Sequence, residues 1–144
     1  MEPLKVKLSA LWAARMISGL QGDSTRLHDP VTLKELVAGT TAVRVTNKLL
    51  LIMSFVFLIP ILMGVLSLIL KDKANRWANR CTGTFFVLFD LVFFGFHVRP
   101  FSYETVWAAM YLVFTALVAW YAWKWPKNEG QSFSRSAPEA TKNS

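Results

Sequence analysis

The feature that most constrains this chain is residues 49–70, a run of twenty-two residues without a charge. As an α-helix it is about 33 Å long, enough to cross the hydrocarbon core of a bilayer. Residues 105–123 also carry no charge, and residues 81–98 carry only that of Asp90. These runs predict an integral membrane protein. With 144 residues in all, a dinucleotide-binding fold or a two-domain enzyme is excluded by size, and the apolar composition excludes disorder.

A fourth candidate span, residues 8–22, is marginal because Arg15 lies near its centre. Its four Leu or Ile residues contribute about 0.3–0.6 kcal/mol each to insertion, whereas a central arginine costs about 2.5–3.5 kcal/mol. In residues 81–98, eleven Leu, Phe or Val residues outweigh a similar cost for Asp90. The first segment therefore inserts poorly by itself, and the third inserts unaided.

Arg15 and Asp90 lie at similar predicted depths in the membrane, about 10 Å and 14 Å from the cytoplasmic ends of their spans. The two side chains can therefore meet. An ion pair with further hydrogen bonds removes much of the cost of each charge in lipid, and we expect Asp90 to hold the first span in place. The pair is either purely structural or part of a route for a proton, an ion or a polar substrate. The alternatives are a protonated Asp90 bonded to Ser or Thr, and an Arg15 that extends to the headgroups.

Lysine and arginine are distributed unevenly about four spans at about 8–22, 49–70, 81–98 and 104–123. Ten lie on the side of the termini and five on the opposite side. Because cytoplasmic segments carry the excess of positive charge, the pattern predicts a four-helix bundle in the cell (inner) membrane with both termini cytoplasmic. A three-span arrangement would place the basic loop 71–80 outside the cell, which the distribution of positive charge disfavours. The net charge of +7 is thus a juxtamembrane pattern and does not predict nucleic-acid binding.

The loop after the first span contains a predicted short helix. Asp29 is a suitable N-cap, Pro30 suits the first helical position, and Gly39 is a stop signal. We expect this amphipathic helix to lie on the outer, extracytoplasmic membrane surface with its apolar face down. The apolar residues of that face are Leu33, Leu36 and Val37. Residues 1–125 then form the transmembrane domain, and residues 126–144 are too polar to fold and predict a disordered cytoplasmic tail.

A polar motif follows the second span. Asn75 and Asn79, like Arg76 and Arg80, are four residues apart and therefore share a helix face, with Trp77 between them. Such a patch suits an anionic lipid headgroup, and an ordinary topology anchor is the alternative. The predicted partners are the lipid bilayer, an anionic lipid, and a membrane protein or a second copy of the chain.

The two histidines, His28 and His97, fall on the outer side near acidic residues. They are the candidates for a metal or haem site, with solvated loop residues as the alternative. The single cysteine, Cys81, excludes a disulfide within the chain. No P-loop, Gly-rich dinucleotide turn, HExxH motif or nucleophile elbow is present. We therefore predict no cofactor and favour a non-enzymatic protein.

Five short motifs give the chain a resemblance to an uncharacterised family of small bacterial four-span membrane proteins. The resemblance covers residues 6–125. The motifs are LSALW at 8–12, IP at 59–60, LS at 66–67, NRWAN at 75–79 and WYAW at 120–123. The family has no established activity, so the resemblance implies a fold and no site residue. In size and four-span plan the chain also resembles DoxX-like membrane proteins, some of which are linked to quinone or thiol redox chemistry; this likeness concerns shape only.

The sequence thus predicts an all-α membrane protein with an accessory or small transport-like role and a polar interior at Arg15 and Asp90. The alternative is a membrane redox component that binds quinone, or binds haem through His28 and His97.

Overall fold

A computed structural model describes residues 3–41 and 43–126, and all regular secondary structure in that part of the chain is helical. Five helices follow one another: α1 (Pro3–His28), α2 (Pro30–Ala38), α3 (Asn47–Ile69), α4 (Asp72–His97) and α5 (Tyr103–Lys124). The chain is therefore all-α, as predicted. Apart from Pro126, the predicted tail lies outside the described residues.

Three of the described helices, α3, α4 and α5, are long and apolar enough to cross a membrane. Each covers one of the three strongly apolar runs to within one residue, so the chain has the character of a membrane protein. The predicted first span, residues 8–22, is helical, but α1, the helix that contains it, is not among the helices that are long and apolar enough to cross a membrane. The helices also extend beyond the predicted spans, since α1 continues to His28 and α4 begins at Asp72.

The short helix α2 has the ends that the sequence predicts. The Asp29 carboxylate accepts hydrogen bonds from the Val31 backbone N–H at 3.2 Å and from the Thr32 hydroxyl at 2.5 Å. Pro30 follows at the start of the helix. At the other end Gly39 has a φ of 68°, a left-handed conformation that glycine adopts readily. These capping interactions confirm the helix.

The four long helices form a ring in the order α1, α3, α4, α5. α1 packs against α3 and α5, and α4 packs mainly against α5 and to a small extent against α3. α1 and α4 lie diagonally across this ring: among the described residues, no Cα of one is within 8 Å of a Cα of the other. Contact between α1 and α4 is therefore made by long side chains that cross the centre.

α1 and α5 come close together at Gly22. A Cβ atom at this position would collide with the hydroxyl oxygen of Tyr111 and lie 3.3 Å from Cγ of Trp107. Gly22 therefore allows the two helices to pack closely.

The buried apolar core lies toward the end of the ring that contains the start of α1. Leu8, Trp12, Phe86 and Val118 are fully buried there. The rings of Trp12 and Phe86 pack edge to face, with their centroids 5.8 Å apart. Conversely, α3 presents mostly exposed apolar side chains, as expected for a surface that faces lipid tails.

Candidate functional site

The centre of the ring contains an ion pair between α1 and α4. Arg15 Nη2 lies 2.6 Å from Asp90 Oδ1, and Arg15 Nε lies 3.3 Å from Asp90 Oδ2, so the guanidinium holds both carboxylate oxygens. The two side chains are only 6% and 1% exposed. A bidentate, buried pair of this kind combines Coulombic attraction with two charge-assisted hydrogen bonds.

Residues of α4 and α5 complete the surroundings of the pair. The Thr115 hydroxyl lies 2.9 Å from Asp90 Oδ2 and also 2.9 Å from the Tyr111 carbonyl oxygen, in its own helix. The guanidinium carbon of Arg15 lies 4.5 Å from the centroid of the Phe86 ring and 5.9 Å from that of Tyr111. Two aromatic rings therefore contribute cation–π attraction to Arg15.

A second polar bridge crosses from α1 to α4 nearer the start of α1. The Trp12 indole N–H donates to Asn79 Oδ1 over 2.8 Å. The Asn79 amide donates to Asn75 Oδ1 over 2.6 Å, and the Asn75 amide donates to the Ser67 carbonyl oxygen, also over 2.6 Å. Both asparagines and Ser67 are completely buried. This network joins α1, α3 and α4 at one end of the ring.

The polar interior is fully hydrogen-bonded. Across residues 3–41 and 43–126, every fully buried side-chain nitrogen or oxygen has a hydrogen-bond partner. Such saturation is what a buried polar network needs in order to stabilise a single arrangement of helices.

The predicted headgroup patch divides into two parts. Asn75 and Asn79 are core residues, so they do not line the surface at which a headgroup would bind. Arg76 Nη1 donates to the Pro126 carbonyl oxygen over 3.1 Å, and Arg80 Nε donates to that of Ala122 over 2.9 Å. The arginines thus satisfy carbonyl groups at the end of α5, and Trp77 is exposed beside them.

A cluster of charged side chains lies at the opposite end of the ring. Glu104, at the start of α5, lies 3.1 Å from Arg26 Nε of α1 and 3.6 Å from His97 Nε2 of α4. The Thr105 hydroxyl donates to the His97 carbonyl oxygen. The cluster links three helices, but the side chains of Arg26 and Glu104 are partly exposed to solvent, so their ion pair contributes modestly to stability.

A polar cavity of about 300 Å³ adjoins this cluster. The Tyr103 hydroxyl donates to Asp29 Oδ2 over 3.2 Å and connects α5 to the start of α2. The Asp29 carboxylate has a pKa below its ordinary value, chiefly because the Thr32 hydroxyl donates to it. The cavity is lined by Asp29, Thr32, Phe96, His97, Arg99, Pro100, Ser102, Tyr103 and Glu104.

The two histidines are the last residues of α1 and α4. His28 Nδ1 contacts the Ser24 carbonyl oxygen at 2.7 Å, and His97 Nδ1 contacts that of Phe93 at 2.8 Å, so each bonds to its own helix. In the described part of the chain, no group of three or more His, Cys, Asp or Glu side chains is arranged to hold a metal ion. Cys81 is exposed and unpaired with another cysteine.

A protein-family model matches residues 2–131, nearly the whole chain, and its description is "Family of unknown function (DUF6326)". The chain belongs to this family. The expectation of an uncharacterised family is thereby confirmed. No curated protein and no solved structure matches the chain.

For this member of DUF6326, reasoning from the sequence missed most of the polar network around the ion pair. Trp12, Ser67 and Thr115 are not among the predicted site residues, although each is buried and hydrogen-bonded. The available signal was chemical: a polar side chain inside an apolar helix requires a partner. That signal identifies Ser67 and Thr115 as residues in need of partners, but it does not say which helix provides them.

Proposed function

We propose that this chain is a non-enzymatic four-span protein of the cell (inner) membrane, an accessory protein whose fold depends on the ion pair between Arg15 and Asp90. The observation that carries this proposal is the burial of that pair between α1 and α4. A charged residue in lipid is tolerated where it faces the interior of a bundle and meets an opposite charge.

The same observation supports α1 as a fourth span despite its polar composition. α1 packs against both α3 and α5, which are apolar enough to cross a membrane. Arg15, its most expensive residue, is turned away from lipid and neutralised. The cost of Arg15 in lipid is thus offset by a contact with Asp90 that α1 gains only in the presence of α4.

The proposed orientation has both termini in the cytoplasm. Lys5 Nζ lies 2.5 Å from Asp72 Oδ1, so the start of α1 and the start of α4 share one end of the ring. That end also contains Lys71, Lys73 and Lys124 near helix termini. The positive-inside rule favours the cytoplasm for such an end.

A structural role for the pair is favoured over a transport route by its hydrogen bonding. Asp90 Oδ1 is bound by Arg15 Nη2, and Asp90 Oδ2 is bound by Arg15 Nε and by Thr115. A passing ion or proton would have to displace at least one of these partners. Breaking a buried pair is costly, which favours a permanent contact.

Cysteine labelling in intact cells tests the topology. In a Cys81→Ala background, the single substitutions Lys7→Cys, Thr40→Cys, Lys73→Cys and Phe101→Cys are treated with a membrane-impermeant maleimide. All four native side chains are exposed, so the label can reach each of them. We expect Thr40→Cys and Phe101→Cys to react in intact cells, and the other two only after permeabilisation. Equal labelling of Lys7→Cys and Thr40→Cys in intact cells would show that α1 does not cross.

A small transport-like role is the second candidate, supported by Tyr111. Its ring lies 5.9 Å from the Arg15 guanidinium, and its hydroxyl lies 3.4 Å from the carbonyl oxygen of Ser18, which follows Arg15 in α1. This role predicts that protons enter proteoliposomes made with the wild-type protein, as an enclosed pH-sensitive dye would report. The Asp90→Asn substitution should abolish this proton entry. Equal dye responses in wild-type and empty vesicles would remove this candidate.

A further inference from the structure

An apolar groove of about 400 Å³ runs between α1 and α3 on the outside of the ring, away from the polar interior. Ala13 on α1 and Gly64 on α3 are small, so side chains on either side of them form raised walls. The lining residues are Ser9, Ala13, Met16, Ile17, Pro60, Ile61, Gly64, Val65, Leu68 and Ile69. α3 is apolar enough to span a membrane, and with α1 in the bilayer as proposed above, the groove opens to lipid.

The length of the groove corresponds to one leaflet of a bilayer. Along α3 it extends over the ten residues from Pro60 to Ile69, about 14 Å from the first Cα to the last, close to half of the roughly 30 Å hydrocarbon core. A partner helix that crosses the membrane would pack along the whole of that core. A single acyl chain, which belongs to one leaflet, matches the shorter groove.

Positive charge lies at one end of the groove and fixes the leaflet. Ile69 is the last groove residue of α3, and Lys71 follows two residues later. Lys71 and Lys73 are both exposed. A lysine beside the membrane surface attracts an anionic headgroup by about 1 kcal/mol. An acyl chain in the groove would therefore carry its headgroup to these two lysines.

We propose that the α1–α3 groove binds one acyl chain of an anionic phospholipid whose headgroup lies against Lys71 and Lys73. The inference rests on α1 lying in the bilayer, as proposed above. The labelling of Lys7→Cys and Thr40→Cys measures that placement independently of lipid binding, so the failure of either proposal is recognisable by itself.

Native mass spectrometry tests the site with the full chain. The protein is reconstituted in nanodiscs of phosphatidylglycerol and phosphatidylcholine in equal amounts, released, and examined for retained lipid. Ala13→Leu fills the groove, and Ala13 is exposed, so the fold tolerates the change. Ala116→Leu makes the same change at an exposed position of α5 outside the groove and serves as the control.

We expect wild-type protein and Ala116→Leu to retain one phosphatidylglycerol molecule, and Ala13→Leu to bind it about tenfold more weakly. The double variant Lys71→Gln, Lys73→Gln should retain lipid without preference for phosphatidylglycerol. The proposal is overturned by a wild-type protein without retained lipid, or by equal retention in Ala13→Leu and Ala116→Leu. A dimer that Ala13→Leu dissociates would also overturn it and assign the groove to a second copy of the chain. An unchanged preference in the lysine variant would refute the headgroup contact.

Discussion

Trp12 donates its indole N–H to the side-chain oxygen of Asn79 over 2.8 Å, across the diagonal of the helix ring. Three residues further along α1, Arg15 makes the second diagonal contact, to Asp90. The backbones of α1 and α4 are too far apart to pack directly among the described residues, so side-chain contacts such as these connect the two helices. The least apolar of the four long helices is thus joined to the opposite helix by polar bonds in the centre of the fold.

The first prediction concerns the charge balance of the buried pair. Arg15→Leu or Asp90→Leu alone leaves an uncompensated buried charge and should destabilise the protein by about 3–5 kcal/mol. The double variant removes both charges and should recover most of the folded yield. Thermal unfolding in detergent and the monodisperse fraction in size-exclusion chromatography measure the effect.

Arg26→Leu provides the matched control on the same helix. Its ion pair with Glu104 is partly exposed, with side chains 46% and 27% accessible, so the cost should stay below about 1 kcal/mol. A double Arg15 and Asp90 variant that is as unstable as the sum of the two single variants would mean that the two residues do not interact energetically.

The sequence predicts the apolar helices well because lipid imposes a single rule on them. An uncharged run of about 20 residues has few alternatives to a helix that crosses the bilayer. The ends of α2 can be predicted from the sequence equally well, since the capping effects of Asp29, Pro30 and Gly39 are local. By the same logic, the high cost of Arg15 and Asp90 in lipid drew attention to that pair.

The remaining contacts depend on which helices face one another, and a single sequence does not contain that information. Asn75 and Asn79 share a face, as their spacing requires, but only the packed structure shows that this face meets Ser67 and Trp12 instead of the headgroups. The start of α4 at Asp72 was not predictable from the sequence for the same reason. Its first polar turns are stabilised by partners on other helices, and hydropathy alone does not reveal those partners.

The second prediction tests the Trp12–Asn79 bridge. Trp12→Phe keeps an aromatic ring against Phe86 but leaves the Asn79 oxygen without its indole donor. We expect a loss of about 1–3 kcal/mol in the free energy of unfolding. Trp77→Phe, at an exposed position, is the control and should change the melting temperature little. Equal melting temperatures for both variants would show that the indole hydrogen bond contributes nothing.

The third prediction compares two glycines of α1. Nothing lies within 4 Å of a Cβ added to Gly19, so Gly19→Ala should stabilise the helix by up to about 1 kcal/mol. At Gly22 the new Cβ collides with the hydroxyl oxygen of Tyr111, and Gly22→Ala should cost about 1–3 kcal/mol through overpacking.

Tyr111→Phe removes the colliding oxygen and should therefore rescue Gly22→Ala in a double-variant cycle of melting temperatures. The variant by itself loses only the long hydrogen bond of 3.4 Å to the Ser18 carbonyl oxygen. Purely additive effects of the two substitutions would contradict the close α1–α5 contact at this position.

The fourth prediction follows from Asp29, whose pKa lies below the ordinary 3.8, with the Thr32 hydrogen bond as the main cause. A carboxyl with a lowered pKa stabilises the fold above pH 3.8, and this contribution is lost as the pH falls through the lower value of the folded state. Acidification below pH 3.8 should thus loosen α2 and its contact with Tyr103. Hydrogen exchange of the α2 amides, corrected for the intrinsic effect of pH, reports the loss.

Asp29→Asn separates the charge from the capping hydrogen bond. Asparagine is as good an N-cap as aspartate, so α2 should remain protected at neutral pH. Its amide does not titrate, and the acid-dependent increase in exchange should disappear from α2. If the variant keeps the same pH dependence as the wild type, a different carboxyl controls the end of α2, and Asp29 serves only as a hydrogen-bond acceptor.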